Sequence, residues 1–121
     1  MARKKPYLLT PTARRHLREA KAWSLRRWGP KITEAYFIEL DEVARRLARD
    51  FRIYRSREEL AGGTGLLLHP VREHYLVFEP LGKSQIIIVA VLRQTRDISA
   101  ILSKGQHLIG RELKALRESL D

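Results

Sequence analysis

Apolar residues recur every three to five places through the first fifty positions, then gather after residue 65 into short unbroken runs. That change of rhythm predicts helices first and strands afterwards. "PYLLT" (6–10) reads as a short extended run. Thr10 and Pro11 then supply an N-cap and a first-turn proline. Ala13, Leu17, Ala20, Trp23 and Trp28 form one stripe, and Gly29-Pro30 ends this helix and permits a sharp reversal. A second helix over about 31–50 carries Ile32, Tyr36, Leu40, Val43 and Leu47, with Phe51 continuing the line. So short a joint predicts an antiparallel helix hairpin whose apolar stripes need a sheet or another helix to cover them.

The rhythm breaks from Phe51 to Gly65, where "RSREELAGG" reads as a loop with one helical turn, capped by Ser56 with Glu59 three residues later. Extended runs follow at 65–71, 73–79 and 84–92. Pro80-Leu81-Gly82-Lys83 reads as a tight hairpin between the last two. Pro70 belongs at a strand end or a bulge, because proline has no N–H to donate to a central ladder. "IIIVAVL" (86–92) is apolar throughout and predicts a central strand buried on both faces. The tail from Asp97 has helical character, with Leu108, Leu113, Leu116 and Leu120 forming a stripe interrupted by Gly105 and Gly110. The expected fold class is α+β: an N-terminal antiparallel helix hairpin on a small, mainly antiparallel sheet of three to four strands, with a C-terminal helical tail. One domain over 1–121 is expected, with a core at 6–102 and an extension at 103–121.

Charge adds a direction to this picture. The chain of 121 residues has a net charge of +10. Residues 1–31 hold ten Lys/Arg against the single acid Glu19, so most of the excess sits on the N-terminal arm and first helix. Such a field attracts a polyanion or an acidic protein over roughly 8–10 Å. The chain contains no cysteine, which removes disulfides and cysteine-based metal sites and suits the cytoplasm. No apolar run approaches the roughly 18 residues of a membrane span, and no signal-peptide core follows the basic N-terminus.

Candidate chemistry is sparse. His16, His69, His74 and His107 form no HExxH or similar pair, so neither a metal site nor any other cofactor is expected. "AGGTG" (61–65) lacks the Lys-Ser/Thr of a phosphate loop and reads as a flexible turn. Metal-independent RNA cleavage needs a base, an acid and cations around the phosphorane. Arg72, His74, Arg93 and Arg96 lie near predicted strand ends and are the candidates for it, with Tyr54 and Tyr75 available to stack on bases. The competing reading makes the arginines solubilising strand flanks and Tyr75 a core residue. Trp23 and Trp28 likewise read either as core or as an exposed binding hot spot.

Three blocks carry a resemblance: "WSLRRWGPKITEAYFIEL" (23–40), "EEL" with "LLLHPVREHYLVFE" (58–79), and "IIIVAVLRQTRDISAIL" (86–102). In this order the chain resembles the RelE/ParE family of type II toxins, and the Arg-Trp-Gly turn with the closing Val-Leu-Arg-x-x-x-Asp places it nearer the ParE branch. The resemblance implies a cytoplasmic toxin that binds DNA gyrase and forms a hetero-oligomer with a ParD-like antitoxin. On this reading the expected target contacts are Arg72, Arg93, Arg96 and Asp97, and the expected antitoxin contacts are Trp23, Trp28, Tyr36 and Leu40. The RelE branch instead implies a ribosome-dependent mRNA endoribonuclease, and a further alternative is an inactive relative that keeps only antitoxin binding. Arg93 stands where ParE-like relatives often carry His, and no Tyr or His follows Asp97 closely, which argues against the nuclease. The tail after residue 102 departs from compact members of the family.

Overall fold

The computed structural model describes residues 5–55 and 57–120. Its elements run β1 (Tyr7–Leu9), α1 (Pro11–Asp50), a 3-10 turn (Phe51–Ile53), α2 (Glu58–Ala61), β2 (Leu67–Val71), β3 (His74–Leu81), β4 (Gln85–Arg93), α3 (Ile98–Lys104) and α4 (Gln106–Ser119). Ser56, expected to cap α2, lies outside the described residues.

Helix α1 is two arms joined at Gly29, whose backbone leaves the helix with φ 83° and ψ 177°. Glycine takes that positive φ without a Cβ penalty, and Pro30 opens the second arm where no N–H is needed. The Ser24 and Thr33 hydroxyls meet across the turn at 2.7 Å, both buried. A continuous helix would hold residues nine apart by roughly 13 Å, so the chain has reversed into the expected hairpin. Thr10 caps the first arm by accepting from the Ala13 N–H at 3.1 Å.

The sheet order is β1-β4-β3-β2, with β1 parallel to β4 and the other pairs antiparallel. Strand β4 is interior and fully buried from Ile86 to Leu92. Its two faces feed two separate cores. Ile86, Ile88 and Val91 pack with Tyr36, Leu40, Leu47 and Phe78 under the hairpin. Ile87, Val89, Ala90 and Leu92 pack with Val77, Ile98, Leu102 and Ile109 under the C-terminal helices. Two consecutive residues, Val89 and Ala90, thus share the second face. The β3–β4 register shifts by one residue at this point, between Val77 and Phe78. A one-residue bulge reverses the alternation of everything after it, so Val91 and Arg93 point toward the hairpin.

The C-terminal tail therefore roofs the second face of the sheet. Glu112 of α4 accepts from the Thr12 N–H at the start of α1, 3.2 Å away, where a carboxylate also suits the helix dipole. Arg117 donates to the Glu79 carboxylate at 2.6 Å and to the Pro80 carbonyl at 3.1 Å. Gly62 has φ 62°, and a Cβ there would collide with the Ser99 carbonyl oxygen. That part of "AGGTG" is thus a close-packing position between α2 and α3 rather than a loose turn.

Some expectations need correcting. Ile32 is 50% exposed, because the inward face of the second arm begins at Thr33 and Tyr36. On α4 the buried residue is Ile109, while Leu108 and Leu120 face outward; the helix starts anew at Gln106, which rotates its apolar face by one position. The second hairpin turn occupies 82–84, since Pro80 and Leu81 extend β3 opposite Ile86 and Gln85. Proline is tolerated there because β2 ends opposite Phe78, leaving only β4 alongside. Pro70 sits on edge strand β2, as its chemistry requires.

Ile109→Ala should lower unfolding free energy by about 2 kcal/mol, the lower part of the range for such truncations. Removing residues 105–121 should expose the Val77/Ile87/Val89 face and give a protein that binds ANS and aggregates. Urea melts and dye binding check both outcomes.

Candidate functional site

The N-terminal half of α1 lies against the polar end of β4, and the two elements enclose a cleft of about 380 Å³. Arg15, His16, Glu19 and Trp23 come from α1, His74 from the start of β3, and Arg93 and Arg96 from the end of β4 and the turn beyond it. Arg93 lies over the Trp23 ring, 4.4 Å from its centroid, a geometry worth about 0.5–2 kcal/mol depending on desolvation. Trp23 in turn meets Trp28 and His74 edge-to-face, at 5.0 and 5.7 Å between centroids.

His74 is buried beneath this stack. The Tyr36 hydroxyl lies 3.0 Å from the Val71 carbonyl and 2.5 Å from the His74 Nδ1, so phenol, imidazole and backbone form one buried hydrogen-bonded group. Burial first, and then the Arg93 cation, pushes His74 from 6.5 down to about 4. The ring stays neutral at pH 7 and has no proton to spare as a general acid. At a pKa near 4 it is also a weak base.

His16 plays a different part. Its Nδ1 accepts the Val91 N–H at 3.1 Å, so the neutral ring keeps its proton on Nε2. Burial, then the Arg15 cation, lowers its pKa. The position was legible in principle, since His16, Ala20 and Trp23 follow the i, i+4, i+7 spacing of one helix face. Arg15, one place earlier, carries no such periodic signal.

Of the residues expected to contact a target, Arg93 and Arg96 line the cleft together with His74. Arg72 does not. It occupies the β2–β3 turn with φ 51° and pairs with Glu39 on the second arm of α1. Gln94 ties that turn down by donating to the Arg72 and His74 carbonyls at 2.8 and 3.0 Å. Asp97 caps α3, accepting from the Ala100 N–H at 3.3 Å. Tyr36 and Leu40, expected at an antitoxin surface, are buried in the core at 3% and 5% exposure. Trp23 and Trp28 are half-buried. Tyr54 packs edge-on against His69 and Phe78, away from Arg93.

A second surface was not anticipated. The outer face of the hairpin carries an apolar groove of about 530 Å³ lined by Leu25, Thr33, Phe37 and Ile38, with Lys21 and the acids Glu34, Asp41 and Glu42 around it. Leu25 and Ile38 are 40% and 53% exposed. Among the described residues, no His, Asp and Glu side chains group to hold a metal ion, and no helix is long and apolar enough to cross a membrane.

Residues 7–98 match the family described as the ParE toxin of the type II toxin-antitoxin system parDE. Two curated relatives, both named Toxin ParE1, come from Mycobacterium tuberculosis strains CDC 1551/Oshkosh and ATCC 25618/H37Rv. Each is 35% identical over 92 residues, covering 76% of this chain and 92% of the relative. A solved structure titled "Chromosomal ParDE TA system from P. aeruginosa" shares the fold, with a TM-score of 0.57 at 16% identity, over 72% of this chain and 92% of that one.

Asp97→Ala should cost about 1 kcal/mol through loss of the helix cap, while Asp97→Ser should cost little; thermal melts check the pair. The His74 shift also fixes a pH dependence. The unfolded ring takes up a proton as pH falls through about 6.5, the folded ring only near 4, so this contribution is complete above 6.5 and lost as pH falls to 4. At about 1.4 kcal/mol per pH unit it amounts to about 3 kcal/mol. Urea melts at pH 7 and pH 4 should show His74→Gln losing less stability across that interval than the parent.

Proposed function

The chain belongs to the ParE toxin family of type II toxin-antitoxin systems, and from that premise we propose that it is a cytoplasmic toxin that inhibits DNA gyrase by binding and is neutralised by a ParD-like antitoxin. The family match over 7–98 carries this reading. The cleft supports binding rather than turnover. Its cations stand ready, but its buried histidine is held against Tyr36 with a lowered pKa, and His16 is engaged by the Val91 N–H. Arg93 and Arg96 are the target contacts of the cleft. Arg72 is a further contact on the neighbouring turn, while Asp97 serves the site by fixing the start of α3.

For the antitoxin, the outer groove of the hairpin suits an amphipathic segment. Leu25, Phe37 and Ile38 offer apolar anchorage. Trp23 and Trp28 extend the contact around the hairpin tip, with Tyr36 and Leu40 supporting it from the core. The complex is a hetero-oligomer, and no metal or other cofactor enters its action.

The endoribonuclease reading draws on the convergence of His74, Arg93 and Arg96 in the same cleft. The low pKa of His74 argues against it, and Arg72 points its charge at Glu39.

Purified protein added to gyrase and plasmid DNA should inhibit supercoiling and accumulate cleaved complex, with antitoxin reversing both. Arg93→Ala should weaken inhibition about tenfold or more in a protein that stays folded, its stability falling by no more than the roughly 0.5–2 kcal/mol of the Trp23 contact. A growth-arresting protein that leaves gyrase untouched and cuts mRNA at codon-defined positions would replace this reading. Ile38→Asp should weaken antitoxin binding by about tenfold or more, as expected for a central apolar anchor, in a titration of the two proteins.

A further inference from the structure

The cleft between α1 and β4 is charged in a way that antitoxin binding does not require. Among the described residues neither Arg93 nor Arg96 forms an ion pair, and Arg15 pairs with Glu19 only at 3.7 Å on an exposed surface, an interaction of little net worth. Arg93 is already ordered by Trp23, so its planar fork meets a ligand with little further loss of freedom. His16, held by Val91 through Nδ1, has its remaining proton on Nε2. Two guanidinium groups and an imidazole N–H thus serve one cleft, whose lining includes the Glu19 carboxylate, while Glu112 and Glu73 act on His16 and His74 from nearby.

We infer that this cleft is a phosphodiester-binding site that takes the backbone of a nucleic acid strand. Guanidinium forks match phosphate oxygens bidentately. Leu92 and Ile101 add apolar lining suited to the sugar beside the phosphate. Arg15 adds a third guanidinium to the lining of the same cleft, so the field exceeds what one group needs. Several guanidinium groups in one cleft suit the regularly spaced charges of a polyanion better than a single carboxylate. The inference does not rest on gyrase being the target, because it concerns the cleft's own ligand.

The test is fluorescence anisotropy of the full-length protein with a labelled twelve-nucleotide single-stranded DNA at low salt. DNA lacks the 2′-hydroxyl that metal-free cleavage requires, so binding is read alone, and without gyrase. Arg93→Gln combined with Arg96→Gln should weaken binding tenfold or more and flatten the salt dependence by about one to two units of slope, near 0.7 per lost phosphate contact. Arg46→Gln with Arg49→Gln removes equal charge from the second arm and should cost less than about threefold. A methylphosphonate strand, whose backbone is neutral, should not bind, and a poly-glutamate peptide of equal charge should compete poorly. Equal losses in the two double variants, displacement by poly-glutamate at matched charge, or no DNA binding by folded protein would each overturn the assignment. None of these results would bear on gyrase inhibition, which its own assay reads.

Discussion

One extra residue in β4 decides where the chemistry of this molecule points. Ile86, Ile87 and Ile88 alternate regularly between the two cores, but Val89 and Ala90 face the same way. Had the alternation continued, Arg93 would share a face with Ile87 and Val89 and emerge beneath the C-terminal helices. The bulge turns it toward α1, where it finds the Trp23 ring. Both arrangements would bury the same apolar strand, so the hydrophobic effect does not choose between them. The choice falls to local packing of Val89 and Ala90 against α3 and α4. Bulges near functional sites commonly act to re-aim a side chain in this way.

The same strand has an exposed-edge problem that α1 solves. Strand β1 pairs only with Ile86 to Ile88. Beyond it, the Thr10 N–H donates to the Ile88 carbonyl and the Thr10 hydroxyl to the Val89 carbonyl. Two residues on, His16 accepts the Val91 N–H. Buried backbone groups left without partners cost free energy comparable to a lost hydrogen bond, so these side chains complete the ladder where β1 stops. The helix that carries the basic residues is thereby docked on the strand that carries Arg93. Structure and charge cannot be separated at this joint: His16 is both a backbone partner and a wall of the cleft.

Much of the fold was legible in the sequence because it rests on short-range rules. The Thr10 cap, the Gly29-Pro30 reversal and the buried run at 86–92 each follow from one residue type in one position. The roof formed by α4 was not, because its stripe is broken by glycines and Ile109 rather than Leu108 carries the burial. Whether an amphipathic segment folds back or awaits a partner depends on an apolar face elsewhere, here that of Val77, Ile87 and Val89. The candidate site was half legible. Arg93, Arg96 and His74 were marked by their place at strand ends. The bulge that gathers them, the pairing of Arg72 with Glu39 and the contribution of Arg15 and His16 are tertiary facts with no local sign.

The lowered His74 pKa bears on what this residue can do at the cleft. A general acid or base must exchange its proton near the working pH, and the very features that assemble the cleft prevent this. The Trp23 stack that orders Arg93 also buries His74, and Arg93 then adds a like charge against its protonation. The Tyr36 hydroxyl is hydrogen-bonded to the Val71 carbonyl and is itself pushed up to about 12 by burial. Raising the cation density of the cleft therefore lowers the proton availability of its only buried histidine. In such a site the arginines, rather than His74, carry the charge available to a ligand.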